Sequence, residues 1–386
     1  MKNLLPNQKD FQEYLEILKQ KPAISIRCNT LKISPDKLKS QLENKGWKIS
    51  QPWKEHKEVM IVEGKIGSLQ SRSQIDKTGN DNNENSDNHF QKNHSIQNSP
   101  AKKSGKADFE VNQSNNLIPL EPGELGRSLE HLLGYYYIQE LASMLPIIAL
   151  NPQPNELVLD LCASPGSKTT QASALMKNTG TIIANEISMS RLKILASNLE
   201  RCGCTNTIIT RKDGVAFCQR IKKYMQSPSE ANKEIAVQAL EESRRKPAGC
   251  LQFDKILVDA PCSGEGTLRS TPQTYIMWNP NTIKTLSKLQ KQLITASFEI
   301  LKVGGEMIYS TCTHAPEENE AVVNFLLDEF KEKVNIESIK LPIKCRPGLL
   351  GWAGGVFNKE LKKSCRIYPQ DNNTEGFFLV KIKKIK

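Results

Sequence analysis

The sequence has no apolar run long enough to cross a bilayer. Its longest, Leu141 to Leu150, covers ten residues and contains Pro146. The amino terminus, Met1-Lys2-Asn3-Leu4-Leu5-Pro6, leads into polar residues and has no apolar core of a signal peptide. A membrane protein is excluded and a cytoplasmic one expected. Cysteine is dilute, at ten in 386 residues, which excludes a disulfide scaffold. No CxxC pair occurs, the tightest spacing being Cys202-Gly203-Cys204. The clustered ligands of a zinc site are therefore missing, and no metal is expected. The glycine-rich signatures of phosphate loops and dinucleotide sites are missing too.

What is present is positive charge. Lys and Arg number 53 against 42 Asp and Glu, a formal net charge of +11. Such an excess favours an anionic partner, with nucleic acid the usual one. A chain of 386 residues, 38 % hydrophobic and 25 % charged, has room for two or three domains of about 150 residues. A monomer is expected.

Residues 1–65 read as a small αβ module. Ile24 to Leu31 alternates as a strand does. Ser34-Pro35-Asp36 then offers an N-cap, a first-turn proline and an acid, and Leu38 and Leu42 give an amphipathic helix that Gly46 can stop. Trp47 to Ile49 and Val59 to Val62 supply further strands. From 66 to 116 the composition shifts, with ten asparagines between Asn80 and Asn116 and almost no large apolar residue. Such a segment buries too little to offset its ordering entropy and reads as a disordered insertion. A weaker insertion runs over 222–248 and ends near the basic cluster Arg244-Arg245-Lys246. From 117 to 386, strand-like runs alternate with helical ones: Leu157 to Leu161, Gly180 to Asn185, Thr207 to Thr210, Lys255 to Asp259 and Glu306 to Ser310. This is an α/β pattern, a parallel sheet with helices on both faces, which binds ligands at the carboxyl ends of its strands.

Acids fall at those ends: Asp160, Glu186, Asp213 and Asp259 follow four successive strands. Between Asp160 and the next helix lies Cys162-Ala163-Ser164-Pro165-Gly166-Ser167-Lys168-Thr169. Small residues let a ligand approach the backbone, and an acid after the second strand can hold ribose hydroxyls. An adenosine cofactor without a pyrophosphate suits this loop, which points to S-adenosylmethionine. Two cysteines join the same edge, Cys262 in Asp259-Ala260-Pro261-Cys262-Ser263-Gly264 and Cys312 in Tyr309-Ser310-Thr311-Cys312-Thr313. A base-modifying enzyme accounts for both. Carbon 5 of a pyrimidine is a poor nucleophile until a thiolate adds to carbon 6; a second group then assists release, and an aspartate near N3 stabilises the developing charge.

On these residues the chain resembles the Nop/Sun family of RNA (cytosine-5) methyltransferases, most of all its archaeal tRNA enzymes. The matching stretches are Arg27 to Ser34, Tyr137 to Glu140, Asp160 to Thr170, Asp259 to Thr267, Tyr309 to Thr313, Glu317 to Glu320 and Glu375 to Phe378. The resemblance implies a Rossmann-like methyltransferase domain beside an N-terminal RNA-recognition-like module. It implies Cys312 as nucleophile, Cys262 as the residue aiding release, and Asp259 on the target base with Lys168 beside it. S-adenosylmethionine would lie against Cys162 to Lys168 and near Asp259, with Glu186 on its ribose and Asp213 at its adenine. Two elements depart from the family: its loop usually reads Ala-Ala-Pro-Gly-Gly-Lys or Ala-Ala-Pro-Gly-Ser-Lys and here begins Cys162-Ala163-Ser164, and Gln370 replaces a frequent histidine. RNA is the implied partner, tRNA first and ribosomal RNA second. An inactive RNA-binding factor and a DNA methyltransferase are the competing classes. The first leaves the cysteine pair without a purpose, and the second leaves Cys312 without one.

Overall fold

The computed structural model describes residues 1–66, 117–226 and 252–386. The expected insertions at 66–116 and 222–248 therefore lie almost wholly outside the described residues. Their edges are ordered structure, because Ile66 ends a strand and Gln226 ends the helix Gly214–Gln226.

The N-terminal part is an antiparallel sheet under one helix. β1 (Ser25–Cys28), β2 (Trp47–Ser50) and β3 (Val59–Ile66) are joined by β4 (Leu117–Ile118) and β5 (Tyr136–Ile138) in the order β2-β3-β1-β5, with β4 on β3. The helix Pro35–Asn44 starts at its proline as expected, but Ser34 makes no side-chain cap bond. Leu38 and Leu42 pack on Ile26, Trp47 and Met60, so the apolar stripe of the helix meets the inward face of the sheet. The module does not close at residue 65. Ile26 pairs with Ile138, so part of its sheet comes from beyond residue 117, in a strand of three residues too short to show periodicity. The first strand is also shorter than read. At Asn29 the side chain turns to donate to the carbonyls of Gly134 and Cys202, both at 2.8 Å.

Among the described residues, the larger sheet has nine strands. β6 (Leu157–Asp160), β7 (Thr181–Asn185), β8 (Thr207–Thr210), β9 (Phe253–Asp259) and β10 (Leu301–Thr311) run parallel in the order β10-β9-β6-β7-β8. Their side chains alternate across it. Leu157, Leu159, Ile256, Val258, Met307 and Tyr309 join one core with Leu293 and Phe298 of the helix Pro280–Ile300. Val158, Leu257 and Ile308 join the other with the helix Leu141–Leu150. That ten-residue apolar run is thus a helix packed into the core.

The remaining four strands are antiparallel, which the alternating pattern did not anticipate. β16 (Phe377–Lys384) returns beside β10, β11 (Val334–Glu337) and β15 (Cys365–Ile367) pair with β16, and β12 (Arg346–Pro347) pairs with β15. A separate hairpin joins β13 (Gly351–Trp352) to β14 (Gly355–Val356). Phe377 to Val380 is buried throughout because both faces of β16 are covered. Among the described residues, no helix is long and apolar enough to cross a membrane.

Arg27 joins the two parts. It is 2 % exposed, and its guanidinium donates to Gln139 Oε1, to the Ser167 carbonyl at 2.7 Å and to Thr170 Oγ1 at 2.8 Å. The strand β1 is thereby tied to the first turn of the helix Ser167–Leu175. Replacing Arg27 by Ala leaves the Ser167 carbonyl and Gln139 without their charged donor. We expect a loss of at least about 2 kcal/mol in urea unfolding. An unchanged unfolding midpoint would show that the two parts are held by apolar packing alone.

Candidate active site

The strand order reverses between β6 and β9, so the crevice at the carboxyl ends of a doubly wound sheet opens there. Asp160 ends β6 and Asp259 ends β9. Leaving β6, the chain forms a tight loop. The Ala163 N–H donates to the Asn185 carbonyl at 2.9 Å, and Ser164 Oγ donates to the Arg191 carbonyl at 2.9 Å. The Pro165 carbonyl accepts from Asn198 Nδ2 at 2.9 Å. Gly166, at φ +101°, is required: a Cβ there would also stand 3.1 Å from Leu195 Cδ1. The helix then begins at Ser167, and the aliphatic stem of Lys168 is buried.

Of the acids expected around a cofactor, the structure brings three to this crevice. Asp160 accepts from Thr169 Oγ1 at 2.7 Å through one oxygen, while its Oδ1 is buried without a partner. Burial pushes its pKa up to about 7. A cationic, donor-bearing ligand satisfies such an acceptor, and the amino group of S-adenosylmethionine is one. The residues present fit that cofactor. Glu186 is 3 % exposed; it accepts from the Ser188 N–H at 2.8 Å and stands 3.6 Å from the Arg191 guanidinium. Part of its carboxylate thus starts the helix Met189–Cys202. Asp213 was expected at the adenine of the cofactor. It is exposed, accepts from the Ala216 N–H at 2.9 Å as a helix cap, and lines a groove with Leu289 and Gln292. Lying three residues beyond β8, it is free to follow the helix rather than the strand edge.

The residues expected to do chemistry come together. Lys168 Nζ stands 2.7 Å from Asp259 Oδ2 and donates to Ser143 Oγ at 3.0 Å. Ser310 Oγ donates to Asp259 Oδ1 at 2.7 Å. Burial works against the ammonium, yet Asp259 outweighs it and holds the Lys168 pKa above its usual value. Cys262 Sγ and Cys312 Sγ are 3.2 Å apart, and both are free thiols. The Cys262 pKa is raised well above the ordinary thiol range, first by its hydrogen bond with Cys312 and then by burial. Cys262 therefore keeps its proton beside the sulfur of Cys312.

The loop carrying Cys312 is held from several sides. The Gly266 N–H donates to the Cys312 carbonyl, and the Gly376 N–H to the Gly266 carbonyl, both at 2.9 Å. A Cβ on Gly266 would come within 2.2 Å of the Gly376 oxygen, so only glycine permits this approach. Asn319 accepts from Thr311 Oγ1 at 2.5 Å and donates to the Thr313 carbonyl at 3.0 Å. Arg366, paired with Glu320 at 2.5 Å, donates to the His314 carbonyl at 3.0 Å. Glu318 accepts from the Ser263 N–H at 3.0 Å and from Gln290 Nε2 at 2.8 Å, anchoring the Cys262 loop.

A cavity of about 450 Å³ opens over Lys168, Asp259 and Cys312, with Ser143, Glu140 and Glu375 in its wall. Sequence reasoning gave no role to Ser143. Its signal was present all the same, as the single polar side chain in an apolar run of ten residues. Phe377, whose ring lies 5.6 Å from Lys168 Nζ, was quoted only as part of a motif. Among the described residues, no group of three or more His, Cys, Asp or Glu is placed to hold a metal ion.

Residues 147–383 match the family described as 16S rRNA methyltransferase RsmB/F. The tRNA (cytosine(49)-C(5))-methyltransferase of Pyrococcus abyssi is 39 % identical over 259 residues, which are 67 % of this chain and 73 % of that one. The ribosomal RNA small subunit methyltransferase F of Vibrio campbellii is 31 % identical over 388 residues, covering 100 % of this chain. This chain spans 62 % of that relative's length, under two thirds. Among solved structures, a methyltransferase homologue from Pyrococcus horikoshii superposes with a TM-score of 0.66 at 28 % identity, over 98 % of this chain and 91 % of that one.

The loop that carries Cys312 also carries an acid sensitivity. His314 is 2 % exposed, stacked on Tyr368 at 5.2 Å, and burial followed by the Arg366 charge lowers its pKa to about 3. Unfolded, it titrates at the ordinary histidine value near 6.5. A depressed folded pKa contributes stability that is present above about pH 6.5 and lost as pH falls toward about 3. His314→Phe should remove up to about 1.4 kcal/mol per pH unit of the acid destabilisation in that window. Urea titrations near pH 7 and near pH 5 measure it; equal slopes for both proteins would contradict the assignment.

Proposed function

The chain belongs to the RsmB/F family of S-adenosylmethionine-dependent RNA (cytosine-5) methyltransferases, and from that membership we propose that it methylates carbon 5 of a cytosine in tRNA. The observation that carries the chemistry is the pair of thiols 3.2 Å apart beside the Lys168–Asp259 ion pair. The 39 % identity to the archaeal tRNA enzyme supports tRNA as the first substrate to test, with ribosomal RNA the second, since a ribosomal RNA small subunit methyltransferase F is 38 % identical over a stretch of similar length. Methyl incorporation into isolated tRNA against small-subunit rRNA tests that choice.

In this reading the target cytosine leaves its stack and enters the cavity over Cys312. The Cys312 sulfur, as thiolate, forms a bond to carbon 6, and the ring π electrons move to carbon 5. Asp259, fixed by Lys168 and Ser310, faces the base edge and accepts from the 4-amino group, and the Lys168 ammonium beside it stabilises the negative charge that develops on the ring. The loop Cys162 to Lys168, with Asp160 and Glu186, holds S-adenosylmethionine. When bound, the cofactor supplies an electrophilic methyl group to carbon 5. Once its sulfur is bonded to carbon 6, Cys312 no longer holds the Cys262 thiol; Cys262, its own proton passed to solvent, takes the carbon 5 proton, the electrons of that C–H bond re-form the carbon 5–carbon 6 double bond, and the carbon 6–sulfur bond breaks to free Cys312 as thiolate. The raised pKa of Cys262 suits a group that moves a proton rather than one that attacks.

Cys312→Ala should abolish methylation and any covalent protein–RNA band on a denaturing gel. Cys262→Ala should keep the attack and slow the release, so the band accumulates. The reverse pattern would exchange the two roles, and no band from either variant would remove the covalent mechanism.

A further inference from the structure

The cavity wall continues beyond the ion pair as a chain of hydrogen bonds. Lys168 Nζ donates to Ser143 Oγ at 3.0 Å, and the Ser143 N–H donates to Glu140 Oε2 at 3.1 Å. The Glu375 N–H donates to Glu140 Oε1 at 3.0 Å, and the Ser270 N–H to Glu375 Oε1 at 2.9 Å. Lys168, Ser143, Glu140, Glu375 and Ser270 all line the cavity that Cys312 and Asp259 line.

The chain ends on an unused acceptor. Glu375 is 3 % exposed, and its Oε2 is buried with no hydrogen-bond partner. The nearby guanidinium of Arg269 is committed to the carbonyls of Gln20, Lys21 and Thr374 and to Asn373 Oδ1. A buried carboxylate oxygen without a donor is costly to maintain, and it calls for a donor from a ligand. A phosphate is the wrong ligand, because a wall carrying both Glu140 and Glu375 repels an anion.

A cytidine within a polynucleotide carries two kinds of hydrogen-bond donor, the 4-amino group and the ribose 2′-hydroxyl. In the reading above, Asp259 faces the base edge and is the acceptor open to the amino group. The 2′-hydroxyl is then left for Glu375. We propose that Glu375 Oε2 accepts a hydrogen bond from the 2′-hydroxyl of the target cytidine and so selects a ribonucleotide over a deoxyribonucleotide. This rests on the cytosine-methylation reading and adds to it a basis for choosing RNA at the reacting nucleotide itself.

The test uses the full-length protein and a tRNA whose methylated cytosine has been mapped by bisulfite sequencing. Three ligated versions differ at that nucleotide alone: cytidine, 2′-deoxycytidine, and a cytidine analogue lacking the 4-amino group. The wild type should methylate the ribo target at least about tenfold faster than the deoxy target, the size of a hydrogen bond to a charged acceptor. In Glu375→Gln and Glu375→Ala the ribo rate should fall to near the deoxy rate, with the ratio within about twofold. A ratio of rates does not depend on how much of a variant folds, and the Glu375→Gln variant keeps an oxygen for the Ser270 N–H. A wild-type ratio near one, or a large ratio that persists in both variants, would overturn the proposal. So would variants that lose discrimination only against the analogue without the amino group, since Glu375 would then read the base edge. A wild type active on none of the three would overturn the cytosine reading first, and this assignment with it.

Discussion

The ion pair between Lys168 and Asp259 is the contact on which the site depends. It joins the first turn of the helix after β6 to the last residue of β9, across the point where the strand order reverses. The lysine side chain is 9 % exposed and the aspartate 26 %. Pairs so placed are poor stabilisers when weighed against apolar packing, because desolvation offsets most of their attraction. Removing one partner is another matter, since it strands a charge at a cost of about 3–5 kcal/mol. The pair is therefore better understood as a positioning device. It holds the carboxylate in the wall of the cavity that Cys312 also lines, and it ties the helix after the loop Cys162 to Lys168 to the end of β9.

Around that pair, the protein concentrates rigidity on the loops that follow β9 and β10. The Cys262 loop hangs from Glu318 and Gln290; the Cys312 loop hangs from Asn319, Arg366 and the backbone of Gly266. Glu318 and Asn319 are neighbours in the chain and the Gly266 N–H bonds directly to the Cys312 carbonyl, so the 3.2 Å sulfur–sulfur approach is the product of two loops braced against each other. Neither loop needs a disulfide or a metal to keep its shape. In the mechanism we propose, one free thiol is the nucleophile and the other the proton carrier.

Much of this was legible in the sequence, and the reasons are local. Asp160 and Asp259 end buried strands and Cys312 directly follows one, so the direction of each strand carries them to the carboxyl edge of the sheet. The capping role of Asp213 was not legible, because two residues of loop separate it from β8 and the helix that follows takes one of its oxygens. The N-terminal sheet was cut short because β5 lies beyond the asparagine-rich stretch and pairs with β1 across more than a hundred residues. The antiparallel return of β16 beside β10 was not visible either, because a continuous apolar run reads alike in either direction. That return is what brings Glu375 and Phe377 to the cavity. Their place in the wall depends on a pairing that no local pattern encodes.

A double-mutant cycle on Lys168 and Asp259 tests the account most directly. Single-turnover methylation would be measured for Lys168→Met, Asp259→Asn and the double variant. If the two side chains act as one unit, each single change should slow the reaction by about 10²-fold or more. The double variant should then be no slower than the worse single one, a clear failure of additivity. Fully additive effects, or either single variant with the rate of the wild type, would contradict the claim that this ion pair positions the reacting groups.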